Sequence, residues 1–208
     1  MAKAEFSKFL GILIDENLNW KKHVDDLLKK LSSATYAIRV IASFGDKKIS
    51  KLAYYAYFHS LLSYGIIFWG NSTLRKKVFI AQKGVVRIIA GAHPRSSCRN
   101  LFKDLGILTV ASQYIYSLMK FFITNKTQFI NNSDIHCHNT RRKVELHYPA
   151  MNLTLAQKGV NYSATKVFAH LPIDIKNLTD SQPKFESNLK QFLNGNSYSI
   201  SEYFDRNE

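Results

Sequence analysis

A run of basic side chains without an acidic neighbour is the feature of this sequence best suited to binding chemistry. No aspartate or glutamate lies between Asp46 and Asp104. The same interval contains eleven cationic residues: Lys47, Lys48, Lys51, Arg75, Lys76, Lys77, Lys83, Arg87, Arg95, Arg99 and Lys103. Solvated surfaces usually mix both signs of charge, because charges of one sign repel each other. The pattern predicts a surface for a polyanion such as nucleic-acid phosphate, and the alternative is a generically basic helical domain.

Two other clusters contain the residue types of metal sites. Asp25 and Asp26 resemble paired carboxylates that hold two metal ions, but they lie on the solvated side of a strong helical period. We therefore predict a charge pair on a helix surface. Residues 136–138 (His-Cys-His) and His147 have zinc-ligand side chains, but adjacent residues wrap a metal poorly, so turn hydrogen bonds or phosphate contacts are favoured. We expect no catalytic residue, no metal ion and no cofactor in this chain.

Further cations and aromatic rings extend the nucleic-acid hypothesis. Arg141, Arg142 and Lys143 form a compact cluster that suits a second phosphate contact, a nuclear localisation patch or simple solvation. Lysines 47–51 precede four tyrosines, a mixture of rings and cations used on single strands. These tyrosines are Tyr54, Tyr55, Tyr57 and Tyr64. Tyrosines at helical spacing are more often packing residues, and we predict that role for at least two of the four.

Composition favours a folded, basic protein. The chain has 208 residues, 46% of them hydrophobic and 13% aromatic, and its formal net charge is +14. Two distant cysteines, Cys98 and Cys137, argue against a secreted disulfide scaffold. The apolar stretches at residues 9–14 and 64–69 are too short for a signal sequence or a membrane span. We expect an intracellular protein, nuclear and/or cytoplasmic, with no membrane partner and no small-molecule substrate.

The element that must position the central cations is a helix. Apolar residues recur there at alternating four- and three-residue steps: Leu74, Val78, Ala81, Val85 and Ile88. Asn71 or Ser72 is the predicted N-cap, and Gly91 is the predicted stop. Lys76, Lys83 and Arg87 fall away from the apolar line, and Arg75 and Lys77 flank it. One face is therefore predicted to be buried and the other to meet negative charge.

The elements on either side are also mainly helical. Residues 6–15 predict one short strand without a partner, which suggests that its sheet partners are missing from this chain. A long helix capped by Asn17 or Asn19 ends near Gly45, and a tyrosine-rich helix from Ile49 pairs with it as an antiparallel hairpin.

The C-terminal part of the sequence predicts a mixture of short β-like pieces and helices rather than helices alone. Thr109 opens a helix, and residues 125–132 form a loop. Beyond residue 133 we predict β-like pieces at 144–148 and 151–155, a helix at 162–170, and a last helix from Ser181–Pro183 to Gly195. The predicted fold class is mainly α, a helical bundle with a short N-terminal strand and a small mixed α/β C-terminal extension.

Several stretches together resemble the C-terminal part of reverse transcriptases from jockey-like non-LTR retrotransposons. One stretch resembles the segment where the polymerase palm ends: Lys8-Phe9-Leu10-Gly11-Ile12, followed by Asp15, Leu18 and Trp20. The thumb is resembled by residues 64–70 and by Gln82-Lys83 through Arg87-Ile88-Ile89. The segment beyond the thumb is resembled by Asn139-Thr140-Arg141, Leu146-His147-Tyr148-Pro149, Leu171-Pro172 and Ile175-Lys176. The likeness covers nearly the whole chain, and its order and spacing are specific.

The resemblance implies a division of the chain. Residues 1–16 would be a remnant of the palm-terminal strand, 17–125 a thumb-like helical domain, and 133–208 a small extension. Phe9, Leu10 and Gly11 would belong to the primer grip. In the family, the aspartates that bind magnesium precede this segment, so we expect them to be missing here and magnesium to serve only the complete polymerase.

The expected function is that of a polymerase fragment. It would be inactive alone as an RNA-directed DNA polymerase and would bind RNA or an RNA–DNA duplex through its basic helical face, with a palm/fingers chain as a further partner. The predicted nucleic-acid contacts are Arg75, Lys76, Lys77, Lys83, Arg87, Arg95, Arg99, Arg141, Arg142 and Lys143. The alternative is a decayed or co-opted helical protein-interaction module without nucleic-acid function.

Overall fold

The computed structural model describes residues 5–135, 146–148, 150–196 and 198–205. Its strands are β1 (Phe6–Phe9) and β2 (Ile12–Asp15). Its helices are α1 (Lys21–Ala42), α2 (Lys47–Ala53), a π-helix (Tyr54–His59), α3 (Ser60–Ser63), α4 (Ile66–Trp69), α5 (Arg75–Ala90), α6 (Arg99–Leu105), α7 (Val110–Thr124), a 3-10 helix (Lys126–Gln128), α8 (Asn132–Ile135), α9 (Thr154–Gln157), α10 (Val160–Ala169), α11 (Ile173–Lys176), α12 (Gln182–Asn196) and α13 (Ile200–Phe204). The predicted class, mainly helical with a short β element at the N-terminus, is confirmed.

The N-terminal segment is a β-hairpin rather than the single strand that we predicted. β1 and β2 are antiparallel, with Phe6 opposite Asp15 and Phe9 opposite Ile12. Leu10 and Gly11 form the two-residue turn, at φ 46° and 83°. Positive φ at both positions gives the twist that hairpin strands require, and a leucine hides the usual Asn-Gly signal of such a turn. The strand therefore finds its partner within the same ten residues, and the expectation of an unpaired strand was wrong.

Asp15, not Asn17 or Asn19, organises the approach to α1. Its Oδ1 accepts hydrogen bonds from the backbone N–H groups of Asn17 at 3.2 Å and Asn19 at 2.8 Å. The helix itself begins after Trp20, which has a left-handed conformation and makes no side-chain cap. α1 ends shortly before Gly45, close to the predicted stop. The prediction that Asn17 or Asn19 caps α1 was wrong, because Trp20 occupies the cap position and the backbone of both asparagines is held by Asp15.

The second helical segment runs without a break through α2, the π-helix and α3 and packs against α1, as the predicted hairpin requires. Asp46 caps it by accepting from the N–H groups of Lys48 and Ile49 at 2.7 and 3.2 Å. Tyr54 is fully buried and Tyr55 is half-buried. The prediction that at least two of the four tyrosines pack is thus confirmed.

α5 lies along α1, in the most extensive contact between two elements of the described chain. Its buried residues are Val78, Gln82, Val85, Val86 and Ile89. Gly91 ends the helix at φ 66°, as predicted, but neither Asn71 nor Ser72 caps its start, where no side-chain bond is made. Leu74, Ala81 and Ile88 are only partly buried. The buried side is therefore rotated by about one residue from the predicted line, because Gln82 lies at its centre.

α7 is the central helix of the core and contacts α4, α5, α10 and α12. Thr109 caps it by accepting from the N–H of Ser112 at 3.1 Å, which confirms the predicted start. The ring centroids of Phe122 and Phe168 lie 4.5 Å apart, joining α7 to α10. Residues on both sides of the proposed boundary at 125–133 therefore contribute to one core.

The C-terminal part is more helical than the predicted β-like pieces suggested. Residues 151–153 are irregular and α9 begins at Thr154, whereas residues 144 and 145 lie outside the described part of the chain. A bridge between Asn131 and Leu146 is the extended pairing that remains there among the described residues. α10 and α12 match the two predicted helices closely. α13 was not predicted.

No single helix of the described residues has both the length and the apolar character needed to cross a bilayer. α6 and α7, which meet at a bend of 48°, satisfy that criterion only when taken together. α7 is largely buried inside the protein, and core helices pass the same test.

His23 joins the hairpin to the bundle. The Leu13 N–H donates a long hydrogen bond, 3.5 Å, to its Nδ1, and the imidazole lies between the rings of Trp20 and Trp69 at centroid distances of 6.3 and 6.2 Å. The side chain is buried, and Nε2 has no hydrogen-bond partner. Burial lowers the pKa of His23, although the nearby Asp26 acts in the opposite direction.

Stability is expected to fall as the pH drops below the ordinary histidine value of 6.5. Because the folded pKa is the lower one, the unfolded state takes up the proton first. The contribution of neutral His23 to the free energy of unfolding is fully present above pH 6.5. It is lost as the pH falls from there through the folded pKa. His59, whose pKa burial also lowers, adds to the effect.

Urea unfolding at a series of pH values measures this dependence. His23→Asn keeps an acceptor for the Leu13 N–H but does not titrate, so its stability should vary less with pH than that of the unmodified protein. Equal losses in both proteins between neutral and mildly acidic pH would assign the dependence to other groups.

Candidate nucleic-acid interface

The outer face of α5 carries three cations in one line. Lys76, Lys83 and Arg87 are seven and four residues apart, which places them within about 40° of one another around the helix. Their spacing along the axis is about 10 and 6 Å. Lys76 is exposed, and Lys83 and Arg87 are partly exposed. We call Lys76, Lys83 and Arg87 the basic line.

Lys77 lies at the edge of this face, beside α1. Its Nζ is 3.8 Å from an Asp25 carboxylate oxygen, and both side chains are about half exposed, so the pair stabilises the fold little. Asp26 pairs with Lys30 at 2.8 Å on the same helix. Asp25 and Asp26 are thus the helix-surface charges that we predicted. Because each carboxylate is directed to a lysine, they do not form a two-metal site.

Arg75 is separated from the basic line, although it is adjacent to Lys76 in sequence. Its guanidinium donates to the carbonyl oxygen of Gly70 at 2.8 Å, and burial lowers the pKa of Arg75. Tyr114 of α7 lies close enough to influence that pKa. One residue turns an α-helix by about 100°, so adjacent cations face different surroundings. Arg75 therefore ties the start of α5 to the core.

The loop after α5 is held against the C-terminal half of the basic line. The Arg87 Nε donates to the carbonyl oxygen of Ser96 at 2.9 Å, and the Cys98 Sγ lies 3.7 Å from the carbonyl oxygen of Lys83. Arg95, in the same loop, is exposed. This arrangement holds the loop that contains Arg95 beside the C-terminal half of the basic line.

Arg99 is neutralised by a residue far away in sequence. Its guanidinium pairs with the carboxylate of Glu202 and lies 4.8 Å from the centre of the Tyr198 ring. Sequence reasoning missed both partners. The signal that was present is the Ser199-x-x-Glu202 capping box: Ser199 accepts from the N–H of Glu202, and Glu202 accepts from the N–H of Tyr198, each at 3.2 Å.

The primer-grip-like residues form the tip of the hairpin. Phe9 is 63% exposed and Leu10 is 74% exposed. The Tyr64 hydroxyl donates to the carbonyl oxygen of Leu10, which attaches the tip to the bundle. An apolar recess of about 600 Å³ lies between the hairpin and residues 63–68. The structure thus brings Phe9, Leu10 and Gly11 together with Tyr64. None of these four residues belongs to α5, which carries the basic line.

The remaining candidates lie wholly or partly outside the described residues. These are Arg141, Arg142 and Lys143 and the 136–138 segment. His147 is described, and its Nδ1 makes a hydrogen bond of 3.2 Å with the Asn132 side chain. Within the part of the chain that the structure describes, no three histidine, cysteine or acidic side chains come together as metal ligands.

The fold and the charge distribution together define a basic, mainly helical protein with an unneutralised line of cations on one helix. No family model, curated protein or solved structure matches this chain.

Proposed function

We propose that this chain is the thumb and post-thumb part of a jockey-like non-LTR reverse transcriptase, and that it binds RNA or an RNA–DNA duplex. The observation that carries the proposal is the basic line. None of Lys76, Lys83 and Arg87 forms an ion pair with a carboxylate of the described residues. Their positive charges are therefore not neutralised by a carboxylate, although the Arg87 Nε also donates to Ser96 and Lys83 lies over the Phe79 ring. Arg99, by contrast, is paired with Glu202, and Arg75 is partly buried against the core.

The geometry suits contacts with a nucleic-acid backbone. The basic line extends over about 16 Å, and a duplex presents roughly nine phosphates over that distance along its axis. Lysine and arginine contacts with phosphate fix position without reading bases. The resemblance assigns the hairpin tip to holding the primer, and the bond from Tyr64 to Leu10 supports this by fixing the tip to the bundle. The proposed binding is therefore independent of sequence.

Catalysis is assigned to a separate palm/fingers chain or segment. In the family, magnesium-binding aspartates supply the metal chemistry there. Asp25 and Asp26 do not fit that role because they pair with Lys77 and Lys30. This chain would contribute duplex binding only.

A salt series of fluorescence anisotropy measurements with a labelled RNA–DNA duplex tests the proposal. If six to ten phosphates are neutralised, log K should fall with log salt at a slope of roughly −5 to −9. The Lys76→Gln/Lys83→Gln variant should reduce the size of that slope by about 2. Arg75 is left unchanged because its guanidinium supports the fold.

The matched control is Lys184→Gln/Lys190→Gln, two exposed positions on α12 that remove the same charge. It should leave the slope unchanged. Equal effects of both variants would assign binding to the net charge rather than to α5. Weak, salt-independent binding by every protein would overturn the proposal.

A second candidate function, a protein-interaction module, is favoured by the hairpin. Every residue of β1 is exposed, and a strand edge of this kind can accept an extended segment of another chain. The apolar recess beside Phe9 and Leu10 would take its side chains. A palm/fingers chain is the partner that the resemblance suggests. This function is the one that remains if duplex binding fails.

A further inference from the structure

A second recess, separate from the basic line, lies between Asn71, α7, α9, α10 and α13. Its volume is about 320 Å³, within the range of small-molecule sites. Tyr114 forms part of its wall from α7, Gln157 from α9 and Phe204 from α13. An adjoining recess of about 290 Å³ shares Asn71 and Lys158 with it.

Buried hydroxyls without partners line both recesses. Tyr114 is only 2% exposed, and its hydroxyl has no hydrogen-bond partner. The Ser163 hydroxyl accepts from the Asn71 amide at 3.4 Å and lies close enough to the Tyr114 hydroxyl to oppose the rise in the Tyr114 pKa that burial causes. Ser72, in the adjoining recess, also has a buried hydroxyl without a partner. Buried polar groups are nearly always paired, so these hydroxyls mark positions where a ligand atom would complete the bonding.

The charged residues at the first recess are all cations. Lys158 and Lys166 line it and are exposed, whereas none of its lining residues is acidic. Lys166 also lies 4.9 Å from the centre of the Phe204 ring. The mouth therefore favours an anionic group, which fits phosphate.

The interior of the recess combines flat apolar surfaces with amides. The rings of Tyr162 and Phe204 form part of the wall, together with Val167. The Gln157 amide N–H donates to the carbonyl oxygen of Met151 at 2.9 Å, which leaves its carbonyl oxygen available as an acceptor. Aromatic faces with amides at the edge are the surroundings that bind nucleobases.

We propose that this recess binds one nucleotide, with its phosphate at Lys158 and Lys166 and its base inside, where the Tyr114 hydroxyl donates a hydrogen bond. The ligand would be a free nucleotide or an unpaired nucleotide of a strand. The inference does not rest on the proposed duplex binding, because neither Lys76 nor Lys83 lines the recess.

Isothermal titration calorimetry of the full chain with the four nucleoside 5′-monophosphates tests this inference. At least one should bind with 1:1 stoichiometry and a Kd below about 1 mM. Inorganic phosphate and the matching nucleoside should bind at least about ten-fold more weakly, because each supplies only part of the contacts. Displacement by a tetranucleotide would identify the unpaired strand as the source, and failure to displace would identify the free nucleotide.

Variants separate a binding role of Tyr114 from a structural one. Tyr114→Phe keeps the ring and removes the unpaired hydroxyl, so it should weaken nucleotide binding about ten-fold while leaving the thermal midpoint of the free protein unchanged or higher. Lys158→Gln/Lys166→Gln should weaken it similarly. Lys184→Gln/Lys190→Gln is the charge-matched control and should bind normally.

Three results would overturn the inference. The first is the absence of nucleotide binding at 10 mM ligand, about ten times the expected Kd. The second is an equal affinity for inorganic phosphate, and the third is an unchanged nucleotide affinity in Tyr114→Phe. The Lys76→Gln/Lys83→Gln variant should retain nucleotide affinity even where it loses duplex binding. Failure of the two proposals is therefore distinguishable.

Discussion

Gln82→Leu is expected to lower the free energy of unfolding by about 4 kcal/mol. The Gln82 side chain is fully buried, and it makes three hydrogen bonds of 2.9 Å. Its amide N–H groups donate to the Tyr54 hydroxyl and to the carbonyl oxygen of Leu108, and its carbonyl oxygen accepts from the N–H of Val110. Leucine would leave all three partners buried and unpaired, so each would lose its bond without regaining water.

Urea unfolding of the variant and of two controls checks this value. Tyr54→Phe removes only one of the three bonds and should cost about 1 kcal/mol. Gln128→Leu changes an exposed glutamine and should alter stability by less than about 0.5 kcal/mol. A cost for Gln82→Leu no larger than that of Tyr54→Phe would show that the amide does not connect α5, the π-helix and α7.

Gly70→Ala should cost about 3 kcal/mol, near the upper end of overpacking effects. Gly70 has φ −65° and ψ −17°, a conformation that alanine adopts without strain. The cost therefore comes from space alone. A Cβ at this position would lie 2.5 Å from the carbonyl oxygen of Ile66 and 2.5 Å from the ring of Tyr114. Neither is the end of a flexible side chain, so α4 and α7 would have to move apart.

Gly84→Ala is the matched control, on the solvent side of α5. No atom lies within 4 Å of a Cβ built at Gly84, so the same substitution should stabilise the helix by about 0.5 to 1 kcal/mol. Thermal unfolding of both variants should move the midpoint in opposite directions. A shift in the same direction would mean that the contact at Gly70 relaxes freely.

Local signals in the sequence were sufficient for much of the fold. The Gly91 stop, the Thr109 cap and the two long periodic helices depend on residues within one or two turns of each other, and the structure has them. The Leu10–Gly11 turn was missed because leucine is uncommon in the left-handed conformation.

The candidate site was predictable only as far as helical phase determines it. The phase indicated that Lys76, Lys83 and Arg87 share an outer face of α5. It could not show that Arg75 donates to Gly70, or that Glu202 neutralises Arg99 from 103 positions away. These are tertiary contacts, and no periodicity encodes them. The nucleotide-sized recess is assembled from separate elements for the same reason.

The π-helix sets a requirement on chain length. Tyr54, Phe58 and Leu62 are all fully buried at intervals of four residues, whereas an α-helix would drift by about 40° at each such step. The wider turn absorbs the drift by holding an additional residue. Loss of one residue here would rotate everything downstream by about 100°, including Tyr64, which anchors the hairpin tip. At this turn, the number of residues therefore matters to the fold as much as their character.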